Sequence, residues 1–171
     1  MGGVNQMIAD KIGLKNVKIL APKQEILKKL VVFVPVEHAE KLRRSLFEAG
    51  AGTIGNYDQC SFNLEGTGTF RPGPEASPFE GKIGERSEVI EVRIEVIFEA
   101  QKEKSMISAI RSAHPYEEVA FDIYALSNEY QNVGSGIIGE LPQSMDEMSF
   151  LNHVKTTMKA GIVKYTALTG K

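Results

Sequence analysis

The feature that most constrains this chain is a run of strict alternation before its midpoint is long past. Ile90, Val92, Ile94, Val96 and Phe98 are apolar, while Glu91, Arg93 and Glu95 between them are charged. Successive side chains of a strand point to opposite faces, so the pattern specifies a strand with one face in a core. A sheet must form around it, and something must cover its apolar side.

The neighbouring sequence supplies both. Residues 30–36, Leu-Val-Val-Phe-Val-Pro-Val, are a continuous apolar run of strand length, as at the centre of a sheet. Residues 37–49 read as a helix: Glu37 opens it, Ala39, Leu42, Leu46 and Phe47 form its apolar stripe, and Gly50 ends it. Residues 53–70 read as extended, with Gly55, Gly66 and Gly68 suggesting a twisted or bulged strand. After the alternating strand, residues 102–113 place Met106, Ile107, Ile110 and Ala113 on one helical face. Pro115 stops that helix, because the residue before a proline is driven out of the α region. Val119, Phe121, Ile123 and Ala125 alternate as a fourth strand. The order is strand, helix, strand, strand, helix, strand, so the fold class is α+β, a ferredoxin-like βαββαβ sandwich. Right-handed crossovers would put both helices on one sheet face and leave the other open, which motivates an oligomer.

The flanks do not build a core alone. Val4, Met7, Ile8 and Ile12 share a helical face that Gly13 would stop, and Val17, Ile19 and Leu20 form a short extended piece ending at Pro22. Residues 134–141 read as an extra strand, 145–158 as an amphipathic helix, and 162–168 as a strand with no evident partner. The expected division is a flank at 1–27, the ferredoxin-like domain at 28–141 and the start of a further lobe at 142–171.

Composition narrows the function. Twenty basic against 22 acidic residues give a formal charge of −2, which offers no electrostatic case for nucleic acid or an anionic membrane. No window is long and apolar enough to span a bilayer, and the N-terminus lacks the basic and apolar regions of a secretory signal. Cys60 is the single cysteine, so an intrachain disulfide or Cys-x-x-Cys site is excluded and a reducing cytoplasm fits.

Two polar clusters are candidate sites. His114, Tyr116, Glu117 and Glu118 follow a helix end at a proline turn, where an imidazole and two carboxylates could meet a ligand or metal. The same residues also suit a structural role, with His114 capping the helix and Tyr116 packing at the corner. Asn56, Tyr57 and Asp58, with Glu65, form the second cluster; Cys60 beside them has no activating cation and reads as a buried structural thiol. Residues 66–69, Gly-Thr-Gly-Thr, lack the lysine and following helix of a phosphate loop, and strand glycines account for them. The loop at 71–86, rich in proline and glycine and containing Arg71, Phe79 and Arg86, is long enough to be a partner-contact or ligand-gating element. His38 and His153 sit on predicted helices, where exposed or capping roles fit better than ligation.

Three segments carry a resemblance. They are Val34-Pro-Val-Glu-His-Ala-Glu-Lys41, Gly52-Thr-Ile-Gly-Asn-Tyr-Asp-Gln-Cys-Ser-Phe62 with Glu65-Gly-Thr-Gly-Thr-Phe70, and His114-Pro-Tyr-Glu-Glu-Val-Ala-Phe-Asp-Ile-Tyr124. Together they resemble the inserted middle domain of the NGG-interacting-factor-three-like family, whose bacterial members carry the name GTP cyclohydrolase 1 type 2 homolog. The resemblance extends to both flanks. It implies a PII/CutA-like domain, self-association as a trimer (hexamer for the full-length parent), and a loop at 71–86 placed where PII-like proteins contact partners. It also implies two divalent metal ions held by histidines and acidic residues of two outer lobes. None of those ligands maps onto a residue here, so no metal, cofactor or catalytic residue is assigned to this chain. The leading expectation is an accessory binding and assembly module of a hydrolase-like protein. The alternative is a small-molecule or metal-binding enzyme domain using the cluster from His114 to Glu118.

Overall fold

The computed structural model describes residues 3–170. They form two compact units: residues 24–129, and the residues up to Lys23 together with those from Tyr130 onward.

The central unit is a four-stranded antiparallel sheet carrying two helices. Its strands are β2 (Leu27–Pro35), β3 (Phe62–Phe70), β4 (Ser87–Glu99) and β5 (Phe121–Ala125), in the order β3-β4-β2-β5. Helix α2 (Ala39–Glu48), entered through a short 3-10 turn at Val36–His38, links β2 to β3, and α3 (Glu103–Ala113) links β4 to β5. The core lies between the helices and one sheet face. Leu30, Val32 and Val34 of β2 and Val92, Ile94, Val96 and Phe98 of β4 pack there against Leu42 and Leu46 of α2 and Met106 and Ile110 of α3. The alternation in β4 and the stripes of both helices therefore converge on one apolar layer. Ile90 departs from the pattern and is exposed.

Register fixes the opposite face. Phe33 pairs with Arg93 and Pro35 with Glu91 across β2 and β4, while Leu64 pairs with Arg93 and Gly66 with Glu91 across β3 and β4. These residues share the side away from the helices. The Glu95 carboxylate on that side lies 2.8 Å from Lys29 Nζ and 2.9 Å from Arg93. The Lys29 hydrogen bond is the main cause holding Glu95 below the usual carboxylate range. Phe62, Leu64 and Tyr124 are exposed on the same face, at 65%, 58% and 52%.

The second unit holds α1 (Val4–Ile12), β1 (Lys15–Lys23), β6 (Tyr130–Glu140) and α4 (Glu147–Thr157). Strands β1 and β6 pair antiparallel. Gly13 ends α1 in the left-handed conformation, its N–H returning to the carbonyls of Ala9 and Asp10. His153 of α4 donates Nε2–H to the Ile12 carbonyl at 2.8 Å, satisfying one of the open carbonyls at the end of α1. Val4 and Met7, part of the apolar stripe of α1, are largely exposed.

Four expectations need revision. Residues 130–140 pair with β1 instead of extending the central unit, so that unit ends at Glu129 and not at Leu141. Residues 53–61 are a loop, because positive φ at Gly52, Gly55 and Gln59 breaks the extended path, leaving one tight turn closed by Ile54 and Tyr57. The glycines of β3 mark no bulge, since its register with β4 runs unbroken from Phe62 to Phe70. Residues 162–168 form no strand, having no strand partner among the described residues. No helix among those residues is long and apolar enough to cross a membrane.

Candidate functional site

The open face of the central sheet is not flat. At the end of β3 and β4, a cavity of about 550 Å³ stands over it. Its floor follows from the register: Phe33 of β2, Arg93 and Glu91 of β4, and Leu64, Gly66, Gly68 and Phe70 of β3 all face this side. The two glycines matter here. They leave the edge strand without side chains where neighbouring positions carry large ones, and the Glu91 side chain lies over Gly68, in the space a Cβ would occupy.

The walls come from the loop after β3 and the turn after α3. Pro72 is buried, and its carbonyl accepts the Gly84 N–H at 2.9 Å, closing the base of the loop at 71–86. The Ser77 N–H donates to Glu117 Oε1 at 2.8 Å, tying the loop to the proline turn. Phe79 lies edge-on to His38 at 5.5 Å between ring centres and 6.1 Å from Tyr116, which in turn lies 6.2 Å from Phe70. The loop is thus held over the sheet by backbone bonds and an aromatic cluster.

His114 stands behind the wall. It is 8% exposed, its Nε2 lies 2.8 Å from the Phe33 carbonyl, and its Nδ1 accepts the Tyr116 N–H at 3.0 Å. One nitrogen donates and the other accepts, which is the neutral tautomer with the proton on Nε2. Burial lowers its pKa below the ordinary histidine value, and the nearby His38 adds to that shift. With both nitrogens engaged by backbone, His114 has no lone pair to offer a metal. Its geometry places Tyr116 instead. Among the described residues there is no group of three or more His, Cys, Asp and Glu placed to hold a metal ion.

Tyr116 carries the most unusual chemistry. Its hydroxyl is buried and makes no hydrogen bond among the described residues. The Glu91 carboxylate is a neighbour, without a hydrogen bond of ordinary geometry to it. Burial first, then the charge of Glu91, pushes the phenol far above its usual range. Burial likewise raises Glu91, and Glu80 adds to the effect while Tyr116 opposes it.

The structure gathers Tyr116, Glu117, Glu118, Glu65, Arg71 and Phe79 around one cavity. It leaves Asn56, Tyr57 and Asp58 in the exposed loop before β3, outside the cavity lining, and Arg86 exposed just before β4. Cys60 is half-buried rather than buried, because it lies in that loop, with its N–H bonded to the Gly52 carbonyl at 2.8 Å. Sequence reasoning missed Phe33, Phe70 and Glu91. Glu91 was assigned correctly to the polar side of its strand, but nothing in one strand tells which partner residues cross beneath it.

An α+β domain with an open, partly roofed sheet face is the class this geometry defines. Comparison then places the chain: it belongs to the Duf34/NIF3 (NGG1p interacting factor 3) family, whose model matches residues 1–171. It is 47% identical over 155 residues to the GTP cyclohydrolase 1 type 2 homolog of Halalkalibacterium halodurans, covering 90% of this chain and 42% of that protein. It is 42% identical over 164 residues to the protein of that name from Bacillus subtilis, covering 95% of this chain and 44% of the relative. Among solved structures, a Bacillus cereus protein related to NIF3 superposes with a TM-score of 0.80 at 46% identity, over 94% of this chain and 42% of that one. The chain therefore spans less than half the length of the relatives it matches.

Proposed function

We propose that residues 24–129 are a ferredoxin-like, PII/CutA-like accessory module that assembles copies of this chain through the open sheet face. The observation that carries the reading is the exposure of Phe62, Leu64 and Tyr124 on a face that the helices leave uncovered. The strand order β3-β4-β2-β5 with both crossovers helical supports the ferredoxin-like description. Both edge strands, β3 and β5, also leave a row of backbone groups unpaired within the sheet, a second route to association. The occupant is a second and third copy, a trimer, and the full-length parent becomes a hexamer. The divalent metals of that parent belong to lobes outside the matched stretch, so the module contributes assembly and regulation to a cytoplasmic, hydrolase-like protein and no metal chemistry of its own.

The test is light scattering on the size-exclusion peak of this chain, with metal analysis of the same fractions. A trimer containing no stoichiometric metal is the expected result. A monomer at high concentration would remove the assembly reading, and a monomer carrying stoichiometric zinc or manganese would replace it with the metal-binding alternative.

A further inference from the structure

The cavity over the open face has a chemistry of its own. Its walls bring together the rings of Phe70, Phe79 and Tyr116. On its floor lies a half-buried carboxylate, Glu91, next to a phenol hydroxyl with no hydrogen-bond partner among the described residues. Glu65, Glu80, Glu117 and Glu118 also line it, against the guanidiniums of Arg71 and Arg93. The charge of Arg93 is already answered, since its guanidinium lies 2.9 Å from Glu95 and 6.0 Å over the Phe33 ring.

Each class of small ligand meets these groups differently. An anion would face an excess of carboxylates. A neutral apolar molecule would take water from the Glu91 carboxylate and offer it no charge in return, which costs free energy. An organic cation suits these groups: its N–H groups donate to the Glu91 carboxylate, its charge sits against aromatic faces, and its apolar body lies on Phe33. The volume of about 550 Å³ is that of a site for a small molecule rather than a peptide. The geometry points to a binding site for a small organic ammonium compound with an aromatic or apolar body, anchored by the Glu91 carboxylate against the rings of Phe70, Phe79 and Tyr116. The cavity shares the open sheet face and Leu64 with the assembly reading above, but Glu91 and the aromatic cluster are not the residues that reading rests on, so amine binding and particle size are read separately.

The experiment is a ligand-observed NMR titration of this chain with 2-phenylethylamine, and with 3-phenylpropionate as an anion of similar size. Saturable binding of the amine, tighter than the anion by about tenfold or more, is expected. Glu91→Gln keeps the shape and removes the charge, and should weaken the amine by about fivefold or more. Gly66→Leu fills the cavity from its floor, since a Cβ there meets nothing within 4 Å and the φ lies outside the left-handed region. It should abolish binding while leaving the circular dichroism spectrum unchanged. No saturable amine binding, equal binding of the anion, or amine binding that neither variant weakens would overturn the proposal.

Discussion

Replacing His114 by alanine tests whether this residue is a bracket for the turn or a chemical group in waiting. The imidazole bridges two backbone groups, the Phe33 carbonyl on β2 and the Tyr116 N–H after α3, at 2.8 and 3.0 Å. Deleting it strands both. An unsatisfied buried polar group costs about 1–3 kcal/mol, and water reaching the vacated space recovers part of that. The expected loss is therefore about 2–4 kcal/mol, read as a lower urea midpoint with an unchanged m-value. His114→Asn supplies an acceptor near Nδ1 but no donor that reaches Phe33, so it should lose about half as much. A loss below about 0.5 kcal/mol for alanine, or equal losses for both variants, would refute the bridging argument. The same geometry sets a pH dependence. Burial lowers the folded-state pKa of His114 from the ordinary 6.5. In the window below that value the unfolded chain binds the proton and the folded one does not, so stability rises with pH. The contribution is present above about pH 6.5 and is lost as the pH falls through the folded value. His114→Ala should flatten that part of the curve.

Three further outcomes follow from other parts of the fold. Leu46, fully buried between α2 and the sheet, should cost about 2–5 kcal/mol as alanine in the same urea assay. Gly52 has a φ of +78°, and a Cβ there would stand 2.8 Å from the Phe47 ring and 2.9 Å from the Cys60 carbonyl. Gly52→Ala should therefore cost about 2–4 kcal/mol, a left-handed penalty plus a clash, and a neutral result would contradict the turn geometry. Leu64→Lys should leave the circular dichroism spectrum unchanged, because the side chain is 58% exposed within one chain, and should lower the molar mass in solution if copies meet over this face.

What could be read from the sequence follows physical locality. The alternation in β4 and the stripe at Leu42, Leu46, Met106 and Ile110 report which side of each element is apolar, and those sides met in one core. The sequence suggests a strand at 134–141 and a domain reaching Leu141, but the strand runs from Tyr130 to Glu140 and pairs with β1 across more than a hundred residues. Pairing partners at that separation leave no local trace. The stretch at 53–61 contains residues that alternate, yet positive φ at Gly52, Gly55 and Gln59 overrides the pattern. At the candidate site, the turn at 114–118 and the loop at 71–86 were both visible as unusual segments. That the Ser77 N–H donates to the Glu117 carboxylate and so joins them, and that Glu91 crosses Gly68 beneath, depends on three strands and two connections meeting.

The most direct test of self-assembly is sedimentation equilibrium of the wild-type chain beside Leu64→Lys, both across the same concentration range. A trimer for the wild type and a folded monomer for the variant, with matching circular dichroism, is the result this account predicts. A wild-type chain that stays monomeric at every concentration, or a variant that assembles unchanged, would contradict the claim that the open sheet face is where copies meet.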